Sequence, residues 1–368
     1  MRYYLIAGEA SGDLHASNLA KALLRQASNT QLRGWGGDLM QAAGVNIVKH
    51  YRELAFMGFV EVLFNLRTIL RNIDACKADI LAYQPDAIIF IDYPGFNMRI
   101  AKWAKKQGIK TIYYISPQIW AWRESRVHQI KATVDTMLCI LPFEPAFYDR
   151  YHYAVEYVGH PLLDVISPED FKKNNTLTAK PAPTVALLPG SRKQEIRAML
   201  HLMLSVVPHF PNVQFVVAGA PSIDADFYTN IITTYNAAYN NVTLVTNETY
   251  DLLRRSDAAF VTSGTATLEV ALFGVPEVVC YKGNPISFWL AKRLIKVKYI
   301  SLVNLIMDRV VVNELIQNEL TTDNLVAELY HLLDEKNADN WQFEYTELRQ
   351  KLGNAGASER AAEIILNV

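Results

Sequence analysis

The sequence has few cysteines and no excess of either charge, and both absences narrow the possible functions. Its three cysteines, Cys76, Cys139 and Cys280, lie far apart and form no C-x-x-C pair. We therefore expect neither a disulfide framework nor a zinc site, and a reducing compartment fits best. The formal net charge of the 368 residues is -1, so no global field favours nucleic acid or another polyanion as a partner.

Long apolar runs are also absent. The N-terminal segment MRYYLIAGEASGD has only about five apolar residues before Glu9, too few for the core of a signal peptide. No stretch approaches the roughly 18 uncharged apolar residues of a membrane-spanning helix. We expect a protein that is soluble or peripherally bound to a membrane.

Short β-rich runs alternate with helical patterns along the whole chain. They are apolar at both parities, as expected for parallel strands that are covered on both faces. The predicted strands are 3–7, 87–92, 111–116, 136–141 and 154–158 in the first half, and 184–189, 213–219, 242–246, 258–264 and 277–281 in the second. The alternation predicts an α/β fold with two Rossmann-like, doubly wound parallel sheets.

A polar, proline-containing stretch at 167–183 indicates a linker between the two halves. We expect an N-terminal domain at 1–166 and a C-terminal domain at 184–345. A final helical segment at 346–368 is expected to pack back on the first domain. Since ligands of such sheets bind outside the carboxyl ends of the strands, the loops of both domains should face a common cleft.

Two loops of the second half favour a nucleoside diphosphate. In TVALLPGSRKQEI (184–196), Gly190, Ser191 and Arg192 follow a buried strand and precede a helix. Ser191 is a plausible N-cap with help from Glu195; free amides at a helix start attract anions, and arginine suits phosphate oxygens. An ordinary strand-to-helix turn with a solvated arginine is the alternative.

The second loop, VTSGTATLE (261–269), offers small residues and amides at another helix start. Its candidate donor-binding residues are Ser263, Gly264, Thr265, Ala266 and Glu269. The glutamate can accept hydrogen bonds from a ribose diol, or it can simply stabilise the helix dipole. We see no cluster of histidine, cysteine and acidic residues with metal-ligand spacing, so we expect no metal and no cofactor.

The first half has a glycine turn of its own, AGEASGD (7–13), which is not G-x-G-x-x-G. Its two carboxylates would repel a pyrophosphate. We interpret Glu9, Ser11, Gly12 and Asp13 as a site for hydroxyls or an amine of a second substrate. The alternative is a structural turn in which Ser11 or Asp13 caps the following helix.

Asp92 lies at the end of the buried strand in IIFIDYPGFN (88–97). A carboxylate in a partly dry cleft, its pKa tuned by burial, is a candidate general base; a structural aspartate that binds loop amides is the alternative. The loop SPQIWAWRESR (116–126) follows the next strand, and Trp120 and Arg123 are candidates to line the acceptor site. An ordinary packed loop is the alternative for this second feature.

Two segments, 54–73 and 286–302, combine apolar and basic residues, which suits a surface that binds anionic lipid. A core helix with its basic residues turned outward would show the same pattern. The residues predicted to face a membrane or acyl chains are Phe56, Met57, Phe59, Val60, Leu63, Phe64, Phe288 and Trp289.

Nine motifs occur in an order that resembles one known family. They are GEASGD, LAFMGFVEVL, IDYPGFN, SPQIWAWRESR, LPFEPAFY, VGHPLLD, LLPGSRKQEI, SGTATLE and FWLAKRL with YISLVNLI. The chain resembles lipid A disaccharide synthase, a bacterial inverting glycosyltransferase of the two-domain GT-B fold, over nearly its whole length. The resemblance is specific because all nine motifs appear together.

The resemblance implies a hexosyltransferase of lipid A and lipopolysaccharide biosynthesis. It would join UDP-2,3-diacylglucosamine to the 6-hydroxyl of 2,3-diacylglucosamine 1-phosphate (lipid X) without a metal, giving a β-1,6 disaccharide and UDP. It assigns Asp92 as the proposed base, and Arg192, Glu269, the 263–266 turn and Asn304 to the donor. It implies a cytoplasmic protein associated peripherally with the inner membrane of a Gram-negative bacterium.

The sequence departs from the family pattern in the motif that follows Asp92, and two other functions also fit the sequence. Some members read I-D-A-P-D-F-N where this chain has Tyr93 and Gly95, so a role for that second acid does not carry over. The first rival is another GT-B enzyme, either a UDP-sugar 2-epimerase or a transferase with a soluble acceptor. The second is a non-catalytic nucleotide-sugar-binding or lipid-binding protein.

Overall fold

The computed structural model of the chain describes residues 1–54, 66–172, 182–284, 288, 293 and 297–368. The chain divides into two compact units. The first comprises Met1–Asp164 together with Asn354–Val368, and the second comprises Val165–Gly353. Each unit contains one parallel sheet flanked by helices.

The first unit is built on seven strands. They are β1 (Arg2–Ala7), β2 (Gln31–Gly36), β3 (Asn46–His50), β4 (Ala87–Ile91), β5 (Lys110–Tyr114), β6 (Thr136–Cys139) and β7 (Glu156–Tyr157). The order is β3-β2-β1-β4-β5-β6-β7, and every pairing is parallel. The strand order reverses between β1 and β4, and such a switch point is where open α/β sheets bind their ligands.

The described helices of the first unit cover both faces of this sheet with apolar side chains. They are α1 (Ala10–Gln26), α2 (Asp38–Ala42), α3 (Leu66–Tyr83), α4 (Pro94–Lys106), α5 (Ile119–Trp122), α6 (Val127–Thr133) and α7 (Glu144–Asp149). Short 3-10 turns occupy Tyr51–Leu54, Glu124–Arg126 and Pro161–Asp164. The central strand β4 is buried at all five positions, which is why its sequence AIIFI contains no polar residue.

The second unit repeats the plan with six strands. They are β8 (Thr184–Leu188), β9 (Gln214–Gly219), β10 (Val242–Thr246), β11 (Ala258–Thr262), β12 (Glu277–Tyr281) and β13 (Asn313–Ile316). The order β10-β9-β8-β11-β12-β13 is again fully parallel, with its switch point between β8 and β11.

The described helices of the second unit begin with a short one at the domain boundary. They are α8 (Pro168–Lys172), α9 (Lys193–Leu204), α10 (Ala225–Tyr239), α11 (Thr249–Arg255), α12 (Thr265–Leu272), α13 (Leu302–Met307), α14 (Thr322–Leu332) and α15 (Ala338–Leu352). Further 3-10 turns lie at Val207–His209, Gln317–Glu319 and Glu335–Asn337.

The last helix, α16 (Ala357–Asn367), belongs to the first unit. The carboxylate of Asp164 caps it by accepting hydrogen bonds from the backbone amides of Gly356 (2.6 Å), Ala357 (3.0 Å) and Ser358 (2.9 Å). Because a capping carboxylate satisfies amides that have no partner within the helix, Asp164 fixes the position where the chain re-enters the first unit.

The prediction of two Rossmann-like parallel sheets is confirmed. Two local features differ from the sequence expectations. The stretch expected as a linker begins with helix α8, whose Asp170 pairs with Arg254 of the second unit at 2.8 Å. The single helical segment expected at 346–368 is two helices, separated by residues 353–356, because Gly353 and Gly356 both adopt positive φ angles.

Candidate functional sites of the two units

Three neighbouring strands bring the chemistry-bearing loops of the first unit together. Ala7 at the end of β1 pairs with Ile91 at the end of β4, and Ile91 pairs with Tyr114 at the end of β5. The loops that follow these strands therefore emerge side by side at the carboxyl edge of the sheet. They are the turn 8–13, the turn 92–95 and the segment 115–126.

Asp92 lies in a strained turn at this edge. Asp92 and Tyr93 both adopt left-handed backbone conformations, with φ of 43° and 49°. Such conformations cost free energy and persist only where the surroundings hold them. The Tyr93 ring provides one constraint, because a Cβ on Gly8 would lie 2.4 Å from it. Only glycine at position 8 leaves room for that ring against the N-terminal turn.

The backbone carbonyl of Asp92 is held by two further side chains. The hydroxyl of the buried Tyr113 donates to it at 2.6 Å, and the Asn97 amide donates at 2.8 Å. These bonds orient the turn through the backbone carbonyl of Asp92 and do not involve its carboxylate. Neither Tyr113 nor Asn97 was identified from the sequence, since a tyrosine in an apolar strand carries no functional signal by itself.

The environment of the Asp92 carboxyl suits proton transfer near neutral pH. Burial and then the negative charge of Glu9 raise its pKa to about 7, and a backbone hydrogen bond from Tyr93 opposes both effects. A carboxylate with a pKa near the working pH is the type of group that serves as a general base. The structure thus brings Asp92 and Glu9 together, although they are 83 positions apart in the chain.

The remaining residues of turn 8–13 divide into exposed and structural positions. Glu9 is the N-cap residue of α1 without a side-chain capping bond, and Ser11 is exposed. Asp13 is buried and caps α2 instead of α1, accepting hydrogen bonds from the amides of Gly37 (2.7 Å), Leu39 (3.0 Å) and Met40 (3.1 Å). The alternative in which Ser11 or Asp13 caps the following helix is therefore wrong, because the N-cap is Glu9.

Gly12 is buried where α1 packs against the sheet, and a Cβ there would lie 3.4 Å from the side chain of Ala7. Direct contact of Gly12 or Asp13 with an acceptor stays a prediction. Their observed positions indicate that they hold the turn that presents Glu9 and Ser11.

Trp120 and Arg123 belong to the segment after β5 but have different environments. Trp120 is buried, its ring meets Phe143 edge-on at 4.9 Å, and its indole N–H donates to Glu144 at 3.2 Å. Arg123 is exposed beside Trp122, with its guanidinium carbon 5.6 Å from the ring centroid. Arg123 is thus available to a ligand, while Trp120 anchors the segment.

Glu144 is the buried partner of this anchor, and no role for it is predicted from the sequence. Its carboxyl also accepts hydrogen bonds from the amides of Ile140 (3.1 Å) and Leu141 (3.0 Å). Burial raises the pKa of Glu144 to about 7, and these hydrogen bonds oppose the shift. The signal that could have identified it is an acidic residue before a proline in the apolar stretch LPFEPAFY.

In the second unit, β8 and β11 are neighbours, with Leu188 paired to Val261. The turn Pro189–Arg192 and the turn Ser263–Ala266 therefore leave the sheet side by side, at its switch point. The residues predicted to bind the donor diphosphate are brought together at one edge, where helices α9 and α12 begin.

The first donor turn is capped differently from the expectation. The N-cap of α9 is Arg192, not Ser191. The Glu195 carboxylate accepts a hydrogen bond from the Ser191 amide at 3.1 Å, so its expected contribution at the helix start is present. Ser191 and Arg192 are exposed, and Gly190 is partly so. A guanidinium at a helix start is a suitable arrangement for phosphate oxygens.

The second donor turn places Gly264 at the N-cap of α12, with Gly264 and Thr265 exposed and Ala266 partly exposed. The Ser263 hydroxyl donates to the carbonyl of Ile300 at 2.9 Å, which ties this turn to the segment before α13. The Glu269 carboxylate accepts a hydrogen bond from the Tyr250 hydroxyl at 2.9 Å, and burial raises its pKa.

Asn304 is fully buried, and both the oxygen and the nitrogen of its side-chain amide form hydrogen bonds within the protein. Its oxygen accepts from the amides of Val311 (2.7 Å) and Val312 (3.0 Å), and its nitrogen donates to the Val312 carbonyl (2.8 Å) and to Glu314 (2.9 Å). A side-chain amide offers two donors and an acceptor oxygen with two lone pairs. The role that the contacts support is positioning of the neighbouring chain.

Glu314 extends the same network, and it was not identified from the sequence. Its carboxylate accepts hydrogen bonds from the amides of Ile300 (3.0 Å) and Ser301 (3.0 Å). Because Ser263 donates to the carbonyl of the same Ile300, Glu314 and Asn304 together hold the turn 263–266 in place.

The residues predicted to contact a membrane fall mainly outside the described part of the chain. Phe56, Met57, Phe59, Val60, Leu63, Phe64 and Trp289 lie in the segments that the structure does not describe. Phe288 is described, with its ring 6.3 Å from that of Tyr281. Among the described residues, no helix is long and apolar enough to cross a membrane, and no three histidine, cysteine or acidic side chains are grouped as metal ligands would be.

Comparison with known sequences gives one consistent family. The sequence model described as lipid-A-disaccharide synthetase matches residues 3–368. The chain is 40% identical over 377 residues to the lipid-A-disaccharide synthase of Geobacter metallireducens, covering 100% of this chain and 97% of that protein. It is 39% identical over 373 residues to that of Syntrophus aciditrophicus, covering 99% and 97%.

Comparison with solved structures shows the fold. The glycotransferase of kitacinnamycin matches with a TM-score of 0.68 at 14% identity, covering 100% of this chain and 98% of that one. The UDP-GlcNAc 2-epimerase of Methanocaldococcus jannaschii, in complex with UDP-GlcNAc and UDP, matches with a TM-score of 0.66 at 11% identity, covering 100% of both chains. Transferases and epimerases share this architecture, so the fold alone does not separate them.

Proposed function

The chain belongs to the lipid-A-disaccharide synthetase family, and from this premise we propose its substrates. The family makes the protein an enzyme, a glycosyltransferase of lipid A biosynthesis in the hexosyltransferase class, with a UDP-sugar donor and a lipid acceptor. We propose that the donor is UDP-2,3-diacylglucosamine and the acceptor 2,3-diacylglucosamine 1-phosphate. The products would be a β-1,6-linked tetraacyl disaccharide 1-phosphate and UDP.

The observation that carries the proposal is Asp92 and its surroundings. Burial and the charge of Glu9 raise the pKa of this carboxyl to about 7, and the strained turn fixes its position. Asp92 would accept the proton of the acceptor 6-hydroxyl as its oxygen attacks the anomeric carbon of the donor. The bond from that carbon to the diphosphate oxygen breaks at the same time, and UDP leaves with the electron pair.

The second unit would bind the leaving group. Arg192 and the first amides of α9 and α12 are suited to the diphosphate, and Glu269 to the ribose hydroxyls. Stabilising the charge that develops on a leaving group is commonly the strongest single contribution to such catalysis. We propose that the guanidinium and these amides provide that stabilisation without a metal ion.

Membrane association is part of the same proposal. Both substrates carry acyl chains, and the sequence segments 54–73 and 286–302 combine apolar with basic residues. Such a surface binds anionic lipid through buried apolar area and charge together. We propose that the protein works in the cytoplasm, on the inner membrane of a Gram-negative bacterium.

The test is to incubate the protein with the two proposed substrates and identify products by mass spectrometry. A disaccharide phosphate and UDP are expected, at an equal rate when EDTA is present. UDP-GlcNAc with a soluble acceptor tests the rival transferase, and UDP-GlcNAc alone tests the epimerase. Consumption of a non-acylated substrate in preference to the acylated pair would contradict the proposal.

A further inference from the structure

The segment after β5 carries a compact aromatic and basic group that the proposed reaction has not used. It comprises Trp122, Arg123 and Arg126, here called the Trp122 cluster. Trp122 is 43% exposed, unusual for so large an apolar side chain. The guanidinium carbons of Arg123 and Arg126 lie 5.6 Å and 5.1 Å from the centroid of its ring. Both distances are within the range of cation–π contacts.

The two arginines form this group without a neutralising acid. Within the part of the chain that the structure describes, neither Arg123 nor Arg126 forms an ion pair with a carboxylate. Burial, and then the charge of Arg123, lower the pKa of Arg126. Two like charges held together on a rigid support have unfavourable electrostatics that a bound anion would relieve.

The backbone that carries the Trp122 cluster is held by one contact before the cluster and one within it. Before it, Trp120 is buried and bonded to Glu144. Within it, Glu124 accepts a hydrogen bond from the Tyr151 hydroxyl at 2.9 Å. A pre-ordered pair of guanidiniums binds an anion with less loss of side-chain entropy than two mobile ones.

The cluster is also close to the candidate base. The charge of Arg126 acts on the Tyr113 hydroxyl, and that hydroxyl donates to the Asp92 carbonyl at 2.6 Å. The strands β4 and β5 that lead to Asp92 and to the cluster are direct neighbours. An anion held here would therefore belong to the substrate whose hydroxyl is deprotonated by Asp92.

We propose that Arg123 and Arg126 bind the phosphate of the acceptor and make the enzyme select a phosphorylated sugar. The identity of that acceptor rests on the function proposed above. The acceptor carries its phosphate on C1 and its reacting hydroxymethyl group on C5, the two carbons that flank the ring oxygen. This spacing suits a base and an anion site on the loops that follow two neighbouring strands. A membrane phospholipid offers similar phosphate chemistry, and the experiment must separate the two sources.

The experiment compares 2,3-diacylglucosamine 1-phosphate with the same sugar lacking its phosphate. Acceptor KM is measured for the unaltered protein, Arg123→Gln, Arg126→Gln and the double variant. Hydrogen bonds to charged groups contribute enough for each substitution to raise the KM of the phosphorylated acceptor about 10- to 100-fold. The KM of the unphosphorylated acceptor should change little, so the double variant should lose the preference. Arg126→Lys should retain part of it.

Arg2→Gln is the matched control. Arg2 is an exposed arginine of the same unit that also contacts an aromatic ring, that of Tyr83. It is the first residue of β1, so it lies at the amino edge of the sheet, opposite the edge where the loops that carry Asp92 and the Trp122 cluster begin. The same loss of charge there should leave the preference between the two acceptors intact.

Two further measurements distinguish failure of the proposed reaction from failure of the phosphate site, and acceptor phosphate from membrane phosphate. Calorimetry of acceptor binding without donor tests the phosphate site even if no disaccharide forms. Phosphate-dependent binding that the double variant loses would support the inference while the proposed reaction fails. Cosedimentation with phosphatidylglycerol vesicles tests the membrane source. A double variant that keeps its acceptor preference, or that loses only vesicle binding, would overturn the inference.

Discussion

Replacing Glu9 with glutamine should move the pH dependence of catalysis, and the direction follows from the structure. Burial is the larger cause of the raised pKa of Asp92, and the charge of Glu9 is the second. Removing that negative charge makes the ionised form of Asp92 less unfavourable, so its pKa must fall. It should stay above the ordinary 3.8, because the contribution of burial remains.

The size of the effect can be bounded from the pKa itself. With a pKa of about 7, about half of the Asp92 carboxyl is ionised at pH 7 and about one-eleventh at pH 6. If only the ionised form accepts the proton, kcat/KM at pH 6 is about one-eleventh of its plateau. The Glu9→Gln variant should recover several-fold of that loss relative to its own plateau, with a ceiling of about 11-fold at complete ionisation.

The assay is kcat/KM for disaccharide formation between pH 5 and pH 9, which reports the pKa of the free enzyme. The control is Glu363→Gln, which removes the same charge from an exposed position on α16. In the control variant, kcat/KM should still fall at acidic pH with a pKa near 7. If the pKa of this fall in Glu9→Gln is unchanged, or is higher than in the unaltered enzyme, the assignment of Asp92 as the titrating base is refuted.

Three other substitutions test separate parts of the account. Gly8→Ala should destabilise the first unit by about 1–3 kcal/mol in urea unfolding, because the new Cβ would overlap the Tyr93 ring; unchanged stability would show that the ring moves freely. Arg192→Gln should weaken UDP binding about 10- to 100-fold by calorimetry while acceptor binding is retained; an equal loss of both would contradict a donor role. Asn304→Ala should also weaken UDP binding, and it should lower thermal stability because it leaves buried amides without acceptors; loss of UDP affinity at full stability would instead indicate direct contact.

Much of the fold was predictable because most of its strands are buried on both faces. Such strands read as short apolar runs, and all ten that were predicted are present. Three strands were missed, β2, β3 and β13. The first contains Gly34, where a Cβ would lie 1.9 Å from the Leu5 carbonyl oxygen. The glycine that weakens the sequence signal is thus required by the close approach of β1.

The other two missed strands lie at sheet edges, where burial imposes less on composition. β3 has no fully buried residue. β13, with the sequence NELI, carries Glu314, which anchors the turn 300–301. A charged residue in a four-residue strand gives no strand pattern, although here it supports the donor turn.

The position of candidate site residues was predictable where a charged residue closely follows an apolar strand, as for Asp92 and Arg192, and their roles stay predictions. A hydrogen-bond partner was not predictable where it is distant in sequence. The hydrogen bonds that the Asp13 carboxylate accepts from amides of α2 could not be predicted, because α2 begins 25 positions further along the chain. Glu144 and Glu314 looked unremarkable because their function lies in bonds to backbone that only the folded chain brings near.

The most direct test of the central claim is Asp92→Asn, measured for both turnover and UDP affinity. The substitution keeps the size of the side chain and removes its ability to accept a proton. We predict that turnover falls by about 100-fold or more, while the Kd for UDP is unchanged, because the donor residues belong to the second unit. Turnover within a few-fold of the unaltered enzyme would contradict the account, because a group other than Asp92 would then deprotonate the acceptor.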